Sequence, residues 1–250
     1  VAATSQGKAS GLLLEICVDD IAGLEATIVG GADRIELCSA LGSGGLTPSY
    51  GFMAVAAKAP IPVHALIRPR AGHFTYSIDE IAVMEADIHA AREAGLAGVV
   101  IGAITDTATL DIDAIRRLIK AADGLDLTLH RAIDVVADMD VALDLAIELG
   151  FSRVLTSGGA RHAEQGLAVI ERLARHGAGR ISIMPGGGVR PENAAHFLAV
   201  PEIRELHASC SQSYSGQDRL VDLGFEDQSV RRTDADTVRR LKASMDMRSS

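Results

Sequence analysis

The sequence predicts an α/β fold, a parallel (β/α)8 barrel in a single domain. Three observations carry this: short apolar runs alternate with amphipathic windows, the alternation repeats eight times, and glycine ends many of the helical windows. Eight such units is the number that closes a barrel. With 250 residues the chain fits one large domain, and its 48% hydrophobic content can fill a sizeable core. Aromatic residues make up only 3% and Trp is absent, so Ala, Val, Ile and Leu must fill that core, which suits strands covered on both faces. An open doubly wound sheet is the rival architecture, but no strand-GxGxxG-helix fingerprint is present.

Taken in order, residues 1–11 read as an extended or disordered tail and 12–250 as the barrel domain. Strands are expected at 12–18, 34–39, 63–68, 98–103, 126–131, 153–157, 180–185 and 204–209. Between them fall helical windows at 21–29, 49–58, 81–94, 113–122, 141–149, 164–175 and 192–198, with a last one near 235–245. Gly30, Gly95, Gly124, Gly150 and Gly177 stand where helices should end in a left-handed residue. Ser77 and Glu80 form a capping-box pattern, and Pro48 and Pro191 fall at expected first helical positions. Two long connections, 69–76 and 212–233, follow strand C-terminal ends and would lie over the barrel mouth as lids.

Composition excludes several function classes. A formal net charge of −9 without a basic stripe argues against a nucleic-acid partner. Three cysteines, none in a CxxC or zinc spacing, give no disulfide framework and imply a reducing compartment. The first residues lack the charged-then-apolar order of a signal peptide, and no apolar run reaches the roughly 18 residues of a membrane span. Only four lysines occur, none at an expected strand end, which disfavours Schiff-base chemistry.

Side chains of a strand alternate between barrel interior and helix layer, and a charge facing the helices would be desolvated against apolar surface. Polar residues therefore point inward. This parity groups Glu15 with Cys17, Glu36 with Cys38, His64 with Arg68, Thr128 with His130, and Glu205 with His207 and Ser209. One reading makes Glu15, Glu36, Arg68, His130 and His207 a catalytic cluster, with carboxylates and imidazoles as acid and base and Arg68 holding an anionic group. The competing reading makes Glu15, Glu36 and Arg68 a compensated ion network that fixes strand register, with core histidines beside it.

The runs 156–159 and 184–188 end the sixth and seventh strands. Ser157, Gly158, Gly159, Gly186, Gly187 and Gly188 there offer backbone N–H groups to an anion, although tight turns also explain such glycines. Cys17 and Cys38 lie on adjacent strands, where two thiols can converge on one soft monovalent ion; copper(I) is the natural candidate. Buried free cysteine serves equally as a small hydrophobe. Cys210 follows the last strand with its parity turned away from His207, and its role is unassigned.

The motifs EICVDD at 15–20, GADRIELCS at 31–39 and GGLTPS at 44–49 resemble those of the CutC family of copper homeostasis proteins. So do LIRPR at 66–70, TLHRAID at 128–134, VLTSGG at 154–159, IMPGGGV at 183–189 and ELHAS at 205–209, in the same order. Leu129 stands where the family commonly has Phe, and the region after Ser211 matches poorly. The resemblance implies a TIM barrel, a cytoplasmic homo-oligomer, and copper(I) binding through the thiols of Cys17 and Cys38. The alternative is a barrel enzyme acting on a small anionic or phosphorylated metabolite, with no nucleic-acid or membrane partner in either case.

Overall fold

The computed structural model describes residues 11–246, so the tail expected over 1–11 lies outside the described residues apart from Gly11. Strands and helices alternate as β1 (Leu13–Val18), α1 (Ile21–Gly30), β2 (Arg34–Leu37), α2 (Tyr50–Ala56), β3 (Val63–Leu66), α3 (Ile78–Ala94), β4 (Gly98–Ile101) and α4 (Ile112–Ala121). They continue as β5 (Asp126–Leu129), α5 (Met139–Glu148), β6 (Arg153–Thr156), α6 (Leu167–Gly177), β7 (Ser182–Pro185), α7 (Ala194–Leu198) and β8 (Glu205–Ala208). All the ladders are parallel in the order β7-β6-β5-β4-β3-β2-β1-β8, and β7 lies alongside β8 to leave a nearly closed barrel. Strands β2, β3, β4, β5, β6 and β8 stop short of their expected ends. Cys38, Arg68, His130, Ser157 and Ser209 thus sit just past the ladders, at the barrel mouth.

Alternation holds throughout. Leu14, Ile16, Ile35, Leu37, Val99, Leu129, Val154 and Leu206 are buried in the main core between strands and helices. Inward positions are mostly polar; among the described residues Cys17, Cys38, Leu66 and Val100 form a small buried apolar cluster on that side, with Leu155 and Met184 buried there as well. On β4 and its continuation glycine is needed inside: a Cβ at Gly98 would fall 2.8 Å from the His64 ring, and one at Gly102 would fall 2.6 Å from His130. Two imidazoles from neighbouring strands occupy that space.

The capping box at Ser77 and Glu80 forms as expected, with both reciprocal hydrogen bonds present. Four helix-boundary signals read differently in the structure. The left-handed residue after α1 is Gly31 (φ +83°); Gly30 stays helical because α9 packs on it, and a Cβ there would lie 2.4 Å from Val238. Likewise Gly177 remains in α6 beneath Ile181, and Gly179 (φ +74°) makes the turn. Neither proline opens a helix: Ser49 caps α2 by accepting the Phe52 N–H, and Pro191 opens a turn ahead of α7.

The connection expected as a lid over 212–233 is an antiparallel hairpin, β9 (Ser211–Ser215) with β10 (Ser229–Thr233), carrying the short α8 (Asp218–Asp222). Its polar strands, SQSYS and SVRRT, lack the apolar alternation that marks a strand. Helix α9 (Ala235–Asp246) follows and seals the base of α1 and α7 through Val238, Leu241 and Met245.

Candidate functional site

The barrel floor is ionic. Arg34 of β2 is clamped between Glu15 of β1, through its Nε, and Glu205 of β8, through Nη2 at 2.5 Å. Arg153 of β6 continues the chain of charges to Glu205 (3.2 Å), Thr128 (2.9 Å) and Asp126 (2.6 Å). The competing sequence reading therefore has substance, but with different members. Glu15 belongs to the network, whereas Arg34, Arg153 and Asp126 join it and Arg68 does not. Parity could have found them, since each is an inward position two residues before one already singled out or two before Leu155.

Above this floor, β1, β2 and β8 bring four predicted residues together. His207 shares a 2.8 Å hydrogen bond between its Nδ1 and Glu15 Oε1, leaving its Nε2 3.7 Å from Glu36 Oε2. Cys17, Glu36 and His207 each offer a ligand atom within 4.8 Å of the others, all three residues being buried. Cys17 faces Glu36 across the β1–β2 ladder, so Cys38 stands one inward position nearer the mouth, its Sγ 3.5 Å from Glu36 Oε2. The sulfurs are staggered about a carboxylate rather than level with each other.

The protonation pattern follows from burial and neighbours. Burial opposes ionisation of Glu15, yet Arg34 and His207 hold its carboxyl well below the usual range. Burial pushes Glu36 up, and burial beside Glu36 pushes the Cys38 thiol well up. For His207 burial favours the neutral ring, but Cys17, Glu15 and Glu36 outweigh it and raise its pKa well above the ordinary imidazole value. Two carboxylates about one histidine are thus driven in opposite directions, the pattern that separates a fixed charge from a proton carrier.

Arg68 and His130 occupy another part of the mouth, beneath Phe74 of the 69–76 connection. The Arg68 Cζ lies 5.1 Å from the Phe74 ring centroid, and the His130 ring centroid lies 4.9 Å from it. His130 Nδ1 accepts the Ala132 N–H at 3.1 Å. Burial, with the Arg68 charge beside it, pushes the pKa of His130 down to about 3. A ring that is neutral and occupied at Nδ1 carries its proton on Nε2 and serves as a donor, not a base.

The glycine runs behave differently from each other. Asp134 takes the N–H groups of Ser157 (3.0 Å) and Gly159 (3.1 Å), and the Gly158 N–H goes to Thr156 Oγ1. The cradle expected at Ser157, Gly158 and Gly159 is therefore filled by a carboxylate of the chain itself. The Gly186 N–H donates to the Thr156 carbonyl, whereas those of Gly187 and Gly188 have no hydrogen-bond partner among the described residues. Those two glycines face a cavity of about 1410 Å³ together with Arg131 and His162, which sequence reasoning missed; Cys17, Glu36, Cys38, Arg68, His130 and His207 line it as well.

Fold and site together define a TIM-barrel protein with a thiol, imidazole and carboxylate donor cluster at the C-terminal mouth of its strands. The CutC family model matches residues 12–212. Family proteins CutC of Rhizobium meliloti, 52% identical over 95% of this chain and 97% of that one, and of Agrobacterium fabrum, 53% identical over 92% and 93%, are similar along nearly the whole length. Among solved structures, a CutC of Streptococcus agalactiae provisionally assigned to copper homeostasis superposes with a TM-score of 0.75, at 33% identity over 79% of this chain and 98% of that one. The chain belongs to the CutC family. Among the described residues no helix is long and apolar enough to cross a membrane.

Proposed function

We propose that the barrel mouth binds copper(I) as cargo through the thiolates of Cys17 and Cys38, with the His207 imidazole as a third donor. The observation that carries this reading is the buried convergence of Cys17, His207 and Glu36 ligand atoms within 4.8 Å, with Cys38 against the same carboxylate. Thiolates and imidazole suit a soft monovalent ion. Glu15 supplies the supporting contact: it holds Nδ1 of His207 and leaves Nε2 for the metal, the carboxylate–histidine arrangement common behind metal sites. Glu36 is placed to take the thiol proton that binding must release. A cytoplasmic location and self-assembly accompany this reading as implications of the family.

Anaerobic competition against a chromophoric copper(I) chelator tests it. One copper(I) per chain should bind, with Cys17→Ser weakening binding more than about 100-fold and Glu15→Gln by about 10–100-fold, the range for a lost supporting contact. Unchanged affinity in Cys17→Ser would retire the reading.

A second reading, an enzyme for a small anionic metabolite, is favoured by the cavity itself. At about 1410 Å³ it far exceeds what an ion needs, and it carries the unpartnered Gly187 and Gly188 N–H groups beside Arg131.

A further inference from the structure

We propose that Arg68 and His130 form a subsite for the carboxylate of a small organic acid, beside Phe74. The inference deepens the second reading above by naming its ligand class, and it does not depend on copper. It starts from charge balance. Arg68 is only 7% exposed, yet its guanidinium meets three carbonyls and no carboxylate. Nη1 donates to Ser43 (3.1 Å) and Gly45 (2.9 Å), and Nη2 to Gly72 (2.9 Å). The other two buried guanidiniums, Arg34 and Arg153, each have acidic partners. A buried cation without a counter-ion is costly, so its missing partner is an anion.

Hydrogen-bond accounting agrees. The Arg68 Nε and the His130 Nε2 are both buried without a hydrogen-bond partner. With Nδ1 accepting the Ala132 N–H, the His130 Nε2 bears a proton, so both orphans are donors. Native interiors rarely leave such groups unmet. The His130 Nε2 marks the place of an absent acceptor, and the group beside Arg68 is the neutral Tyr76 hydroxyl, which leaves the charge uncompensated. Both side chains lie against Phe74 and line the cavity beside it, while the two unmet nitrogens themselves are buried. Phe74 is held in place through its own carbonyl, which accepts the Ile104 N–H at 3.0 Å. Rotation of its ring away from the two donors would open the subsite to the cavity.

The chemistry selects a carboxylate over a phosphate. The two unmet donors, one guanidinium N–H and one neutral imidazole N–H, match the two oxygens of one planar carboxylate group. A phosphate presents more acceptor oxygens than these two donors can meet. Phosphate is better served at Gly187 and Gly188 beside Arg131.

Calorimetric titration with pyruvate and oxalate, against acetamide and inorganic phosphate as controls, tests this in the full chain. Both carboxylates should bind, acetamide should not, and phosphate should not displace them. The His130 Nε2–H proton resonance should move on adding oxalate. His130→Phe should weaken oxalate at least about ten-fold, the scale of one hydrogen bond to a charged group. His130→Asn, which keeps an acceptor for the Ala132 N–H, should lose as much, separating the donor from any folding defect. Equal oxalate binding by the wild-type and His130→Asn proteins, no carboxylate binding at all, or displacement of oxalate by phosphate would each overturn the subsite. Oxalate bound as expected, with no organic acid turned over, would leave the subsite standing and remove the enzymatic reading.

Discussion

Replacing Arg34 by Met strands the most deeply buried carboxylate of the barrel. Glu15 is fully buried, and its charge is met by Arg34 on one oxygen and His207 on the other. Glu205 would keep Arg153 at 3.2 Å, so its loss is partial, whereas Glu15 loses its only guanidinium. Met matches the aliphatic stem of Arg34 and meets Met184, whose sulfur already lies 3.3 Å from Nη2, so packing changes little. The cost is then electrostatic: about 3–5 kcal/mol for breaking a buried pair from one side. For a chain of this size each kcal/mol lowers Tm by about 2–4 °C, which places the shift at roughly 6–20 °C. With no Trp to report by fluorescence, urea unfolding followed by far-UV circular dichroism is the assay. The midpoint should fall with m unchanged. Adding Glu15→Gln removes the stranded charge, so the double variant should be more stable than Arg34→Met alone. A loss under about 1 kcal/mol, or a double variant whose losses simply add, would refute a floor held by charge compensation.

Acid sensitivity follows from the two buried neutral histidines. Burial holds His64 down to about 4 and His130 down to about 3. The unfolded chain takes up these protons near pH 6.5 and the folded chain does not, so stability must fall as pH drops from about 6.5 towards 4, at up to ~2.7 kcal/mol per pH unit. Below about 4.3 the depressed Glu15 adds to the loss. His207 runs oppositely, contributing stability below about 6.5 that is lost as pH rises through its elevated pKa. Urea midpoints that stay flat between pH 6.5 and 4 would contradict this, and His130→Asn should reduce the slope by about half. At the sixth strand end, Gly158→Ala would place a Cβ 2.3 Å from the Gly166 carbonyl at φ +69°, whereas Gly31→Ala at φ +83° meets open space. The first should cost several kcal/mol and the second only about 1, read as paired thermal midpoints.

Much of this was legible in the sequence because the strongest signals are periodic. Strand positions and inward parity come from alternation alone, and the convergence of Glu15, Cys17, Glu36 and His207 is that parity carried into space. The ion network was only half visible: Arg34 and Arg153 open their strands, where a charge reads as a solvated end, and only barrel closure turns both onto Glu205. The run at 157–159 reads as an anion cradle or as a tight turn, because sequence spacing does not reveal that Asp134, more than twenty residues earlier, reaches the Ser157 and Gly159 amides first. The hairpin of β9 and β10 is invisible in the sequence because pairing between such polar segments rests on backbone hydrogen bonds, which leave no hydropathy pattern.

The two halves of the mouth make opposite electrostatic demands. Around β1, β2 and β8, buried Glu36 and the thiols of Cys17 and Cys38 present groups whose protons a cation can displace. Around β3 and β5, buried Arg68 and the donor His130 present a charge and a hydrogen that an anion can satisfy. Copper(I) alone would answer the first wall and leave Arg68 without a counter-ion. A carboxylate alone would answer the second and leave the donor cluster of Cys17, Glu36 and His207 unfilled. Because one cavity carries both walls, the two ligands would be neighbours, and a charge brought by one changes the field in which the other binds. The ionic floor keeps that field in place, since the same Glu15 that neutralises Arg34 orients His207.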